Sequence, residues 1–150
     1  MKKIIVVLLA ALFGMSAKSQ VANPVVWSAT YKAISSTEGE IIIQAKIEKG
    51  WHTYSQRPTE AGPIPTNIAF VAAPSLFELI GKTNETDAHE EFVKAFDAKI
   101  FVFTDKAEFR QKIKLKGKGG FNVTVKVEYM TCNDMMCLPP KTIDLSVKIQ

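Results

Sequence analysis

The sequence predicts an all-β protein built as an antiparallel sandwich, and three observations carry that expectation. Apolar and β-branched residues recur at alternate positions in short runs. Turn-forming clusters separate the runs: SSTEGE at 35–40, SQRPTEAGPIPTN at 55–67, AAPS at 72–75 and KGKGG at 116–120. The clearest runs are apolar on one side only, which suits two sheets packed face to face rather than a parallel sheet covered on both faces.

Taken in order, the chain opens with MKKIIVVLLAALFGMSAKSQ, two lysines ahead of an apolar run from Ile4 to Met15 and then small residues. Ala17 and Ser19 stand three and one residues before a cut ahead of Gln20. The run is too short to span a bilayer, so residues 1–19 read as a cleaved signal peptide and 20–150 as one domain. No cysteine follows the cut, so a lipid anchor is not expected.

Strands are predicted over Val25–Tyr31, Ile41–Ile47, Trp51–Tyr54, Asn67–Val71, Phe101–Phe103 and Phe109–Leu115. The last two runs alternate most cleanly. Phe121, Val123, Val125, Val127 and Tyr129 share one side of the first; Ile143, Leu145, Val147 and Ile149 share one side of the second. This spacing of short strands and turns predicts an immunoglobulin-like sandwich. One segment departs from the pattern. TDAHEEFVKAF reads as a short helix capped by Asp87, with Glu90 three residues on, or as an ordered loop.

Without Lys2, Lys3 and Lys18, the 19 basic residues fall to 16 against 15 acidic ones. An exported domain so nearly neutral does not have the profile of a nucleic-acid binder. Lys112, Lys114, Lys116 and Lys118 alternate around Ile113 and Leu115, so they read as the wet face of a strand whose like charges discourage edge-to-edge pairing.

The chemistry concentrates in EYMTCNDMMCLPPK, residues 128–141, which holds both cysteines and three of the five methionines. Cys132 and Cys137 fall between two clear strands, in a loop at the end of the sandwich where functional residues commonly sit. Four residues separate them, enough to bring the sulfurs into bonding range. A bridge closing so short a loop restricts the unfolded chain by only about 2 kcal/mol, a weak placement for a staple. A reversible dithiol makes better use of it, because one sulfur can resolve a mixed disulfide formed by the other. A plain staple stays open. So does copper(I), since Met130, Met135 and Met136 with two thiolates form a soft donor set. No metal ligand is assigned. Met135, Met136 and Pro139 also read as adaptable partner surface around a reactive sulfur.

The stretch VEYMTCNDMMCLPPKT, with KGWHTYS at 49–55 and HEEF at 89–92, resembles the N-terminal immunoglobulin-like domain of the bacterial thiol:disulfide interchange protein DsbD. The resemblance runs from about Ile41 to the C-terminus, and its specific part is the Tyr-x-x-Cys…Cys-x-Pro-Pro arrangement. It implies a periplasmic protein-disulfide reductase component that passes electrons to thioredoxin-like envelope proteins, such as disulfide isomerases and cytochrome c maturation proteins. It implies Cys137 as the exchanging sulfur and Cys132 as the resolving one. Glu90, Glu91 and Phe92 match a cap loop in which the aromatic ring shields the cysteines. His52 and Tyr54 match polar rings beside the site.

Residue chemistry agrees in part. His52 and Tyr54 are two apart in a strand and share a face, and a histidine exchanges protons near neutral pH. Trp51, one residue off in phase, is expected to point into the core. No Cys-x-x-Cys opens a helix, and Glu90, Glu91 and Asp134 are acidic, so a sluggish rather than activated thiol is expected. Neither a cofactor nor nucleic acid is implied. The sequence ends at Gln150 without the family's membrane conduit, so a separate membrane electron donor is expected.

Overall fold

The computed structural model describes residues 23–60, 62–71 and 73–150; the leader read over residues 1–19 lies outside them. The strands are β1 (Val25–Ala33), β2 (Glu38–Ile47), β3 (His52–Tyr54), β4 (Asn67–Phe70), β5 (Phe77–Thr86), β6 (His89–Val93), β7 (Ala98–Thr104), β8 (Lys106–Leu115), β9 (Phe121–Cys132) and β10 (Cys137–Ile149). A 3-10 turn, Lys94–Phe96, joins β6 to β7. All pairings are antiparallel. One sheet runs β1-β2-β8-β5 and the other β10-β9-β3-β7-β6, with β4 paired to a separate stretch of β9. This is the predicted sandwich.

Alternation builds the space between the sheets. Val25 and Trp27, then Ile41, Ile43, Ala45 and Ile47, then Ala107, Phe109 and Ile113 are buried from the first sheet. Val123, Val125, Val127, Tyr129, Val147 and Ile149 meet them from the second. Trp27 lies between Phe109 and Tyr129, with ring centroids 5.9 and 5.1 Å away. Each large side chain so buried contributes about 1.5–3 kcal/mol, and neither cysteine belongs to this core. At the β1–β2 hairpin, Ser35 Oγ accepts the backbone N–H groups of Thr37 and Glu38. Gly39 lies under the Tyr31 ring, where an added Cβ would stand 2.2 Å from a ring carbon.

Three expectations are corrected. The Asp87-capped helix does not form: Asp87 takes a positive φ of 66° in a turn, and His89–Val93 pair with Ala98–Val102 as β6 and β7. Pairing with a neighbouring strand outweighs the local helix signal. Only Lys94–Phe96 turns helically. Second, β5 was not predicted. It is a sheet edge, exposed along most of its length and interrupted at Gly81, so it lacks an alternating signature. Third, the strand carrying Lys112 and Lys114 is not an edge. β8 lies between β2 and β5, and register sets Lys114 opposite Glu38 and Glu78, and Lys112 opposite Glu40. Lys112 and Lys114 lie on the exposed face of β8, as expected of a wet face, while the carboxylates of Glu40 and Glu78 pair with Arg110 and Lys116.

Candidate active site

The second sheet carries apolar residues on both faces, and the cysteines are on the outer one. Along β9, Val125, Val127, Tyr129 and Thr131 point between the sheets. Met130 and Cys132, one residue out of phase, therefore point the other way. On that outer face Tyr54, Val93, Ile100, Val102 and Cys132 form a second, smaller core, with Phe96, Ala98, Met130 and Cys137 packed against it. The β6–turn–β7 segment supplies much of it, folding Val93 and Phe96 over the sheet.

Register then fixes the central geometry. Cys132 is directly opposite Cys137 on β10 and directly opposite His52 on β3. Directly opposed residues share a face, so His52, Cys132 and Cys137 form a row across three neighbouring strands. Cys132 and Cys137 are joined as a disulfide. Cys132 is fully buried, whereas Cys137 is partly exposed. Of the two cysteines, Cys137 is the more accessible.

The loop between them is shaped by Asn133, whose Oδ1 accepts the N–H groups of Met135 and Met136 at 2.9 and 2.8 Å. Its own N–H donates to the Met136 carbonyl. Met135 is 92% exposed at the tip and Met136 53%. Pro139 and Pro140 fall in the register shift between Leu138 and Lys141, on an edge strand where missing N–H groups leave no partner unsatisfied. Pro139 borders a crevice on the inner side of the sheet, with Asn23, Pro24, Tyr129 and Thr131.

Beside the sulfurs, His52 Nε2 and Tyr54 Oη are 3.0 Å apart, with the rings edge to face. Burial lowers the His52 pKa, opposed by the charges of Glu91 and Asp134. Burial, and secondarily Glu91, raise that of Tyr54 far enough to keep the phenol protonated throughout the physiological range. His52 lines a small crevice with Glu91, Phe92, Val93, Lys94, Ala95, Asn133 and Asp134. Trp51 is half-buried against the main core, as its phase predicts.

These features sort the residues singled out from sequence. Cys132, Cys137, His52, Tyr54 and Glu91 come together. In β6, register puts Glu91 and Val93 on the cysteine side, with Glu90 and Phe92 on the other. Glu90 pairs with Lys99 at 3.4 Å. Phe92 is 53% exposed at the rim of the crevice. No group of three or more His, Cys, Asp or Glu side chains among the described residues is placed to hold a metal ion.

A profile described as "Thiol:disulfide interchange protein DsbD, N-terminal" matches residues 22–148, nearly the whole chain. The chain belongs to the DsbD N-terminal domain family. Among solved structures it is similar to the DsbD N-terminal domain of Neisseria meningitidis in its reduced form, at 14% identity and a TM-score of 0.53, covering 81% of this chain and 84% of that one. It is similar to the complex between the DsbD and PilB N-terminal domains of the same organism, at 13% identity and a TM-score of 0.50, covering 80% of each chain. It also resembles the N-terminal periplasmic domain of ScsB from Proteus mirabilis, at 20% identity and a TM-score of 0.52, over 83% of this chain but 45% of that one. These likenesses show the shared fold. No curated protein matches the chain at a significant level.

Within this DsbD N-terminal fold, four residues matter locally that sequence reasoning passed over. Val93 and Phe96 cover the outer core, with the Phe96 ring 6.2 Å from that of Tyr54. Thr53 Oγ1 donates to the Met130 carbonyl at 2.9 Å, tying β3 to β9 beside the disulfide. Asn133 had a readable signal, an asparagine opening a tight loop. The other three had none, because their role depends on which strand covers which face.

Proposed function

We propose that this DsbD N-terminal domain is an exported thiol:disulfide exchange module that passes reducing equivalents to oxidised envelope proteins through Cys132 and Cys137. One observation carries the reading: the disulfide lies outside the main core, with Cys132 fully buried, Cys137 partly exposed, and Val93 and Phe96 packed in the same outer cluster. Such a bond adds little to the sandwich but presents a defined sulfur to a partner. In this reading Cys137 exchanges and Cys132 resolves. Glu90, Glu91 and Phe92 belong to a cap that a docking partner displaces, His52 and Tyr54 form the polar shell, and Met135, Met136 and Pro139 meet the partner.

Residues 1–19 act as the export leader and the mature domain works in the periplasm, in keeping with the periplasmic ScsB domain it resembles. Its acceptors are thioredoxin-like envelope proteins, including those of cytochrome c maturation, and a membrane protein supplies its electrons. The partnership of a related N-terminal domain with that of PilB supports a protein acceptor.

Redox titration tests this directly. Incubated in graded glutathione or thioredoxin buffers, the Cys132–Cys137 bond is expected to open and close reversibly while the far-UV signal of the sandwich persists. A bond that stays closed in strongly reducing buffer, long after equilibration with control disulfides, overturns the proposal and leaves a structural brace.

A further inference from the structure

We infer that His52 is the proton-transfer residue of the buried sulfur Cys132, acting in the resolving step of exchange and not in the attack by Cys137. The inference rests on the exchange reading above and assigns one step of it.

Resolution needs a thiolate at Cys132, and Cys132 is fully buried. Burial without a cation raises a thiol's pKa, and water cannot reach the sulfur to remove its proton. A relay must therefore touch both the sulfur and solvent. His52 is directly opposite Cys132 on the same face, and it lines the crevice that opens outward between β6 and the cysteine loop.

The other titratable or charged groups around it serve less well. Tyr54, on the same strand, keeps its proton. Glu91 from β6 and Asp134 from the cysteine loop are anions that stabilise an imidazolium once it forms. Lys94 from the 3-10 turn borders the crevice with the opposite effect, and His89 faces Glu91 at 3.6 Å. In the tautomer whose Nε2–H donates to Tyr54 Oη, Nδ1 is the basic nitrogen, and this is the tautomer that accepts the Cys132 proton.

The step balances as follows. In the reduced domain, Cys137 thiolate attacks a partner disulfide; a Cys137–partner bond forms and the partner's second sulfur leaves as thiolate. Cys132 then gives its proton to His52 and attacks Cys137 Sγ. The Cys132–Cys137 bond forms, the Cys137–partner bond breaks, and the partner sulfur departs as a thiolate that takes up a proton. His52 releases its own proton through the crevice. Two electrons leave the domain and the partner is reduced. In the opposite direction His52 protonates Cys132 as it leaves.

The test uses the reduced full-length mature chain and 5,5′-dithiobis(2-nitrobenzoate), which releases one chromophore on attack and a second on resolution. In His52→Gln the first release is expected to keep its rate within about two-fold. The second is expected to slow by about 100-fold at pH 7, in line with the loss of one general base. Its pH profile should lose the imidazole inflection, and free imidazole should restore part of the rate in His52→Ala. Second-phase kinetics and pH profile unchanged in His52→Gln overturn the inference while leaving the exchange reading intact. Both phases slowed equally, with no rescue by imidazole, show a merely structural role and also overturn it. An unmodified chain whose reduced cysteines release no chromophore overturns the exchange reading first, and this inference with it.

Discussion

At the residue scale, the His52–Tyr54 pair ties stability to pH at both ends. Burial puts the folded His52 pKa below its ordinary value of 6.5, so on acidification the unfolded chain takes up that proton first. The His52 contribution is therefore intact above pH 6.5 and declines as the pH falls below it. Tyr54 behaves oppositely: its raised pKa keeps the folded phenol neutral while the unfolded one ionises, so stability declines as pH rises past 10. Urea unfolding of His52→Gln from pH 7 to 5 is expected to show a shallower acid-side loss than the parent. Tyr54→Phe should lose about 1 kcal/mol at pH 7 with its hydrogen bond, and should flatten the alkaline limb. The shared face of His52 and Tyr54 was legible from their spacing alone. Their position beside Cys132 depends on β3 pairing with β9 at one register, which spacing does not give; the family resemblance alone implied it.

Among the elements, the β6–turn–β7 segment packs Val93 and Phe96 into the outer core that buries Cys132. Val93→Ala and Phe96→Ala remove buried carbon from the outer core only, and Val93→Ala is expected to cost about 1–3 kcal/mol. Both should speed reduction of the disulfide by dithiothreitol, measured by quenched alkylation. Val26→Ala, on the exposed face of β1, should leave that rate unchanged.

A different element, the β5 edge, has a break in its ladder to β8 that one side chain fills. Buried Gln111 fills the register shift between Ile80 and Asn84, donating to the Ile80 and Lys112 carbonyls and accepting from Thr83 Oγ1. Gln111→Leu strands those groups and is expected to destabilise the domain by about 2–3 kcal/mol in denaturant melts. Glu85 does similar work further along, accepting from Ser55 Oγ and, at 2.8 Å, from the Gln56 N–H.

These elements mark where sequence reading stopped. β9 and β10 alternate because one face of each meets the main core over most of its length. β5 and β6 are edges with little buried on either side, so no period survives in them. The end of β9 fails differently: Tyr129, Thr131 and Cys132 are buried on opposite faces, and no pattern says which face holds the chemistry.

For the whole molecule, two cores on opposite faces of one sheet mean that the redox state is expected to bear on the outer core while leaving the sandwich standing. The Cys132→Ser, Cys137→Ser double variant should keep its far-UV spectrum and lose about 2 kcal/mol, the amount a loop this short supplies. A loss large enough to unfold it at room temperature would show that the bond supports the fold.

The placement of Cys137 opposite Cys132 has a consequence for assembly. A slip of one residue between β9 and β10 would turn one sulfur inward and leave the other outside. A hairpin misaligned by one residue therefore holds its sulfurs on opposite faces, and the closed bridge favours the native register of β9 and β10. Ring closure thus reinforces the correct alignment, and in pulse-labelled refolding bridged chains should gain native hairpin protection sooner than reduced ones.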